Sequence, residues 1–348
     1  MKDLLVIHIG AGNHHASSNS KYAKLIKKAL SKHTIAESSR VLEDSPWTNT
    51  GYGSSLNRLG QVEIDASFIS HGGDDGTTRM GSLTGLKCRN PTVEMFRIYD
   101  EIAKEYQTTP ELNVPLALNC TSLKSFVGIR EDDSEGLVSE KSYRIFQLYK
   151  NGVSSVARDK EEGEGVMDTI GLAHITHVGV DIATSSGGNF FKLPGRMGCA
   201  AIPGAAIAFL QNESGLFCCM CSGDGEQIVK YHLASTIIEK YTLYEKANND
   251  DDNDNDDDDD DDESQRQHFC EYVKSELTRL DPNFYFGFIL IVARRGGMDE
   301  EATRNLIYGH STKSFHFGFR VGDQTKAILS FAEKEADFTF GEYRLSLA

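Results

Sequence analysis

Most of the net charge of −16 on this 348-residue chain is local: residues 248–263, NNDDDNDNDDDDDDDE, carry eleven Asp and one Glu, and the rest is close to −4. With 39% hydrophobic and 9% aromatic residues, that remainder is an ordinary folded body, large enough for one sizeable core. No apolar run approaches the roughly 18 residues of a membrane-spanning helix, and neither nucleic acid nor membrane is an expected partner.

In chain order, LLVIHIG opens as a strand ending in glycine. From Tyr22 onward, KYAKLIKKALSKHTIAESSRVLED places Tyr22, Leu25, Ile26, Ala29 and Leu30 at helical spacing and reads as one surface helix. Gly51, Gly53 and Gly60 frame turns, VEIDASFI alternates as a strand, and GTTRMGSLTGL continues in small and polar residues. PTVEMFRIYDEIAKEY is a helix with proline at its first position. Residues 128–165 read as a polar connector with one short helix around YRIFQLYK.

IGLAHITHVGVDIATSSGG then predicts two strands joined by a turn, and EQIVKYHLASTIIEKYTLYEKA one helix, resumed after the acidic tract as QHFCEYVKSELTRL. FYFGFILIVARR, SFHFGFRVG and ADFTFGEYRLSL alternate again as strands. Strands at both ends with helices between them predict α+β layers in one domain spanning 1–348. The acidic tract repels itself and has nothing apolar to bury, so it is expected to be a disordered insertion at 248–263. A basic partner is the binding role it would fit. It lacks the ligand spacing of a calcium loop.

Seven cysteines, with MKDLLVIHIG too short before its polar interruption to read as a signal-like leader, predict free thiols in an intracellular compartment, cytoplasm or nucleus. The Cys218-Cys219-x-Cys221 run has no second cysteine pair or histidine spacing beside it, so neither metal nor cofactor is expected.

The chemistry-bearing stretch is VMDTIGLAHI, where an apolar run begins at Thr169. A threonine opening a buried strand is ordinary. It becomes a nucleophile if cleavage between Asp168 and Thr169 frees its amine, whose reference pKa near 7.7–8.0 suits a general base. The same hydroxyl can make that cut by attacking the preceding carbonyl, with Asp168 placed to assist proton movement.

Two later loops complete a set. TSSGGNFFKLPGRMGC offers hydroxyls at Thr184, Ser185 and Ser186 and an anion-clamping Arg196 between glycines. CSGDGE places Ser222 and Gly223 before a helix, a hydroxyl and a backbone N–H for a developing oxyanion. Asn49, Gly51 and Asn57 read as turn builders, and His8 as structural.

These pieces, together with VIHIGAG and NTGYGSSLNRLGQVEIDAS, resemble the type-2 asparaginase family of N-terminal-nucleophile (Ntn) hydrolases, most closely its threonine aspartase branch. The resemblance implies a four-layer αββα sandwich and self-cleavage into 1–168 and 169–348. It also implies Thr169 as nucleophile, Ser186 as its supporting hydroxyl, Arg196 as carboxylate binder and Ser222 with Gly223 as oxyanion donors. A homodimer of precursors or of two-chain units is implied as well.

Cys199 departs from the pattern: small-substrate members carry an aspartate there to pair with the substrate's α-ammonium. The departure favours a threonine endopeptidase cleaving polypeptides after aspartate over an L-asparaginase, isoaspartyl peptidase or glycosylasparaginase. A catalytically silent scaffold is the third reading.

Overall fold

The structure, a computed structural model, describes residues 2–72, 76–109, 111–124, 128–132, 134–152, 169–251, 261–294, 304–333 and 338–346. Asp168 and the approach to it lie outside them.

The described elements run, in chain order, β1 (Leu4–Gly12), α1 (Asn19–Leu30), α2 (Ile35–Glu43), β2 (Ile64–Gly72), β3 (Thr77–Leu86), α3 (Pro91–Gln107), β4 (Ala117–Asn119), α4 (Cys120–Leu123), α5 (Ser134–Leu137) and α6 (Glu140–Lys150). Then follow β5 (Ile170–Ile175), β6 (Gly179–Ser186), β7 (Ile207–Asn212), β8 (Gly215–Gly223), α7 (Gly225–Lys230), α8 (Leu233–Asp251) and α9 (Asp261–Leu280). The chain closes with β9 (Phe286–Ala293), β10 (Arg304–His310), β11 (Ser314–Val321), β12 (Gln324–Phe331) and β13 (Thr339–Leu345).

The strands form two sheets, ordered β12-β11-β1-β5-β6-β2-β3-β4 and β13-β10-β9-β8-β7. Alternation along each strand builds the layers. Leu5, Ile7 and Ile9 of β1 pack with Tyr22 and Ile26 of α1, Leu42 of α2 and Ile98 of α3. Leu4 and Val6 point the other way and meet Met220 of β8 and Ile289 and Ile291 of β9 between the sheets. On the far side, Cys219, Cys221, Phe288 and Leu290 pack with Ile237 and Tyr241 of α8 and Phe269 and Val273 of α9. Helix, sheet, sheet and helix follow one another, the expected four-layer αββα sandwich.

Several elements differ from expectation. The helix expected from Tyr22 breaks into α1 and α2, because Thr34 accepts from the Glu37 N–H while the Glu37 carboxylate accepts from the His33 N–H, a reciprocal cap. The helix expected from Glu226 breaks at His232, which has φ 44°. There the Ala234 and Ser235 N–H groups of the next helix bond to the carbonyls of Ala205 and Gly204. Sequence reasoning missed β3, β4, β7, β8, β10 and β12; the Cys-rich run, read only for its lack of a metal-ligand pattern, is the buried strand β8.

The connector at 128–165 contains two short helices, α5 and α6, and residues 153–168 lie outside the described set. Of the expected insertion at 248–263, residues 248–251 complete α8 and 261–263 open α9, and 252–260 lie outside the described residues.

Buried histidines give the fold an acid limit. Burial lowers His8 to about 3, His310 to about 4 and His316 to about 2. Each therefore contributes stability that is present above its unfolded value near 6.5 and is lost as pH falls. Glu43 works in the opposite sense: burial raises it to about 7, so its contribution is present below its unfolded value and is lost as pH rises through 7. Between pH 6 and 5 the histidines outweigh it. These four groups should together lower stability by roughly 2 kcal/mol per pH unit over that range, read as a falling urea midpoint. A flat profile between pH 6 and 5 would contradict the neutral buried histidines.

Candidate active site

Thr169 stands immediately before β5, a central strand flanked by β1 and β6, and is 4% exposed. Its backbone N–H donates to the Ser222 Oγ at 3.3 Å, and its Oγ1 lies 3.7 Å from the Cys199 Sγ. Ser222, fully buried on the second sheet, also accepts from the Ala11 N–H of β1 at 3.1 Å. Two N–H donors use both acceptor sites of this hydroxyl and leave its own proton to donate elsewhere. A hydroxyl oriented this way beside Thr169 is equipped to stabilise an oxyanion.

Gly223 ends β8 at φ +137°, and a Cβ there would stand 2.3 Å from the Tyr285 carbonyl oxygen, so only glycine fits. Asp224 then caps α7 by accepting from the Glu226 and Gln227 N–H groups.

The β5–β6 pairing sets Ile170 opposite Ser185, and one further step of that register brings Ser186 opposite Thr169. The Ser186 hydroxyl accepts from the Gly188 N–H at 3.1 Å. Thr184 supplies the bond nearest the candidate nucleophile on this strand, donating to the Ile170 carbonyl at 2.8 Å. Ser185 faces the other way and donates to Glu43 at 2.9 Å.

Arg196 lies in a slot walled by glycine. A Cβ at Gly198 would be 2.5 Å from its Nη1, one at Gly188 2.7 Å from Nη1, and one at Gly225 2.9 Å from Nη2. Its Nε and Nη2 donate to Glu226 Oε1 at 2.9 and 2.7 Å. Burial pushes the Cys199 thiol up, with the Thr169 hydroxyl and the Arg196 charge pulling it back. The thiol is therefore neutral near pH 7.

Sequence reasoning missed the residues that hold this loop. Glu63 accepts from the Gly195 N–H at 3.1 Å and Asp65 from the Gly198 N–H at 2.6 Å, so two acids spaced i, i+2 bracket Arg196. Asp65 also accepts from Thr84 Oγ1 at 2.6 Å. Lys192, 5% exposed, donates to the Glu63 carbonyl. Burial pushes Asp65 up and Lys192 down, and their mutual attraction opposes both shifts. The available signal was an aspartate beside Ile64 and Ala66 at the start of a strand-like run.

Asp65→Ala leaves the Gly198 N–H and the Thr84 hydroxyl without their acceptor and should destabilise the fold by about 1–3 kcal/mol, measured by urea denaturation. An unchanged urea midpoint would show that Asp65 does not hold the loop.

Asn49 and Asn57 build turns, as expected. Asn49 donates to the Gly188 carbonyl at 2.8 Å and accepts from the Ser55 N–H, and Asn57 accepts from the Leu59 and Gln61 N–H groups. His8 is fully buried, paired in register with Gly171 and 5.7 Å from the Phe315 ring centroid. All seven cysteines are free and buried, and no group of three or more metal-ligating side chains occurs among the described residues.

The family model Asparaginase_2, described as asparaginase, matches residues 1–251, which include every site residue named above except the Tyr285 and Phe315 neighbours. The isoaspartyl peptidase/L-asparaginase of Xenopus laevis is 28% identical over 256 residues, covering 68% of this chain and 75% of that protein. The Homo sapiens protein of the same name is 28% identical over 194 residues, 56% of this chain and 58% of its own length. That of a Nostoc species is 25% identical over 266 residues, covering 68% and 76%. A central buried threonine, an arginine loop and a hydroxyl–glycine turn, set in an αββα sandwich and matched over 1–251, show that the chain belongs to the type-2 asparaginase family of Ntn hydrolases.

Proposed function

We propose that the chain matures by cutting itself between Asp168 and Thr169 and then acts as a threonine endopeptidase that hydrolyses polypeptides after aspartate. The observation that carries this reading is the neutral, buried Cys199 thiol, 3.7 Å from the Thr169 hydroxyl. A free amino-acid substrate brings an α-ammonium, which a thiol leaves without a counter-charge. An aspartate inside a polypeptide has that nitrogen already in an amide.

In the proposed reaction Arg196 holds the aspartate side-chain carboxylate. The Thr169 Oγ1 attacks the main-chain carbonyl carbon, and its proton passes to the freed Thr169 amine. The oxyanion forms against the Ser222 hydroxyl and the Gly223 N–H, with Ser186 supporting the nucleophile across β5–β6. As the C–N bond breaks, the leaving amine takes that proton. Water then attacks the threonyl ester, releasing the aspartyl carboxylate and restoring the hydroxyl.

The relatives' names favour a second reading with the same nucleophile: isoaspartyl peptidase and L-asparaginase activity on small β-aspartyl substrates. Competing an aspartate-containing peptide library against asparagine and a β-aspartyl dipeptide separates the two. Preferential peptide hydrolysis after aspartate supports the first. Turnover of the small substrates alone would replace it with the second. We further propose that two copies of the two-chain unit associate.

A further inference from the structure

We propose that Glu226 is a built-in competitor for the carboxylate site of Arg196, setting how tightly an acidic substrate group is held. The inference rests on the proposed role of Arg196 as carboxylate binder. Both Nε and Nη2 of Arg196 donate to one oxygen of Glu226, the contact a substrate carboxylate would make. The two partners differ in freedom: the Arg196 side chain is 14% exposed and the Glu226 side chain 67%.

Glycines 188, 198 and 225 leave the space that the guanidinium fills, since a Cβ at each would stand within 2.9 Å of it. Glu226 can turn away. Its backbone is fixed by the Asp224 cap, while its side chain reaches the arginine from solvent. Asp65, the nearby buried carboxylate, is committed to the Gly198 N–H and Thr84. Substrate binding is therefore an exchange of one carboxylate for another on the same arginine. A pair whose carboxylate is mostly exposed is weak enough for the exchange to run at modest cost.

Glu226→Gln tests this, since the amide oxygen can still accept from Arg196 while the competing charge is gone. Succinate, a dicarboxylate that needs no turnover, is the probe, titrated calorimetrically into the mature protein. The variant should bind succinate about two- to five-fold more tightly than wild type, and Glu226→Ala should do the same. If the mature enzyme cleaves aspartyl peptides, KM should fall by a similar factor with the change confined to KM. Equal or weaker succinate binding in both variants would overturn the proposal and show that Glu226 holds Arg196 in place. Failure of the endopeptidase reading would appear separately, as absence of peptide cleavage by the wild type with the succinate result intact.

Discussion

Thr169→Ala is expected to yield one uncut polypeptide and to lower hydrolysis of any aspartyl substrate by about 10⁴-fold or more. Both losses come from a single oxygen. In the proposed reaction the Oγ1 is the attacking atom in self-cleavage and again in turnover, and the Cys199 thiol, 3.7 Å away, does not replace it because burial keeps it protonated. The alanine chain should still fold, since Thr169 touches its surroundings through its N–H to Ser222 as well as through its side chain. Thr169→Ser keeps hydroxyl and amine and should retain measurable processing and turnover. Retention of either by the alanine variant, seen on a denaturing gel and in a peptide assay, would defeat the assigned mechanism.

The second large effect belongs to Arg196. Arg196→Leu should lower kcat/KM for aspartate-containing peptides by about 10²- to 10³-fold, the cost of leaving a substrate carboxylate unmatched in a partly buried slot. It should leave self-cleavage largely intact, because the scissile bond is then delivered by the chain itself. Stability should change little, since the Glu226 carboxylate that pairs with Arg196 is mostly exposed and screened by solvent. An unchanged kcat/KM would move acid recognition to another cation, with Lys192 the nearest candidate by position.

The fold was legible from the sequence where strands alternate cleanly. LLVIHIG announced β1 as a short apolar run ending in glycine, and TIGLAHI announced the strand behind Thr169. Strands β3 and β8 escaped because their residues are poor strand signals. Thr77–Arg79 are exposed polar residues, and three of the buried residues of β8 are cysteines. The breaks before Ile35 and after Tyr231 escaped because they depend on a cap and on a distant loop's carbonyls, which local periodicity does not report.

The site shows the same division. Thr169, Arg196, Ser222 and Gly223 were found as residue types in an order, but their relations were not. No spacing says that Ser222 accepts from both Ala11 and Thr169, 211 and 53 residues away. Nor does it say that Glu63 and Asp65 hold the two sides of the Arg196 loop. Ser186 was reached through family resemblance. The structure places it across from Thr169 in register, with its hydroxyl on Gly188 and with Thr184 bonded beside the nucleophile. Cys199 gained most from the structure. A missing charge in the sequence became a thiol 3.7 Å from the hydroxyl of the candidate nucleophile.

The central claim is that Thr169 becomes an amino terminus. Intact-mass measurement of the purified protein, with terminal sequencing of each fragment, tests it directly. The account predicts two chains, 1–168 and 169–348, the second beginning TIGLAHI. A single intact chain under conditions where related precursors mature would contradict it.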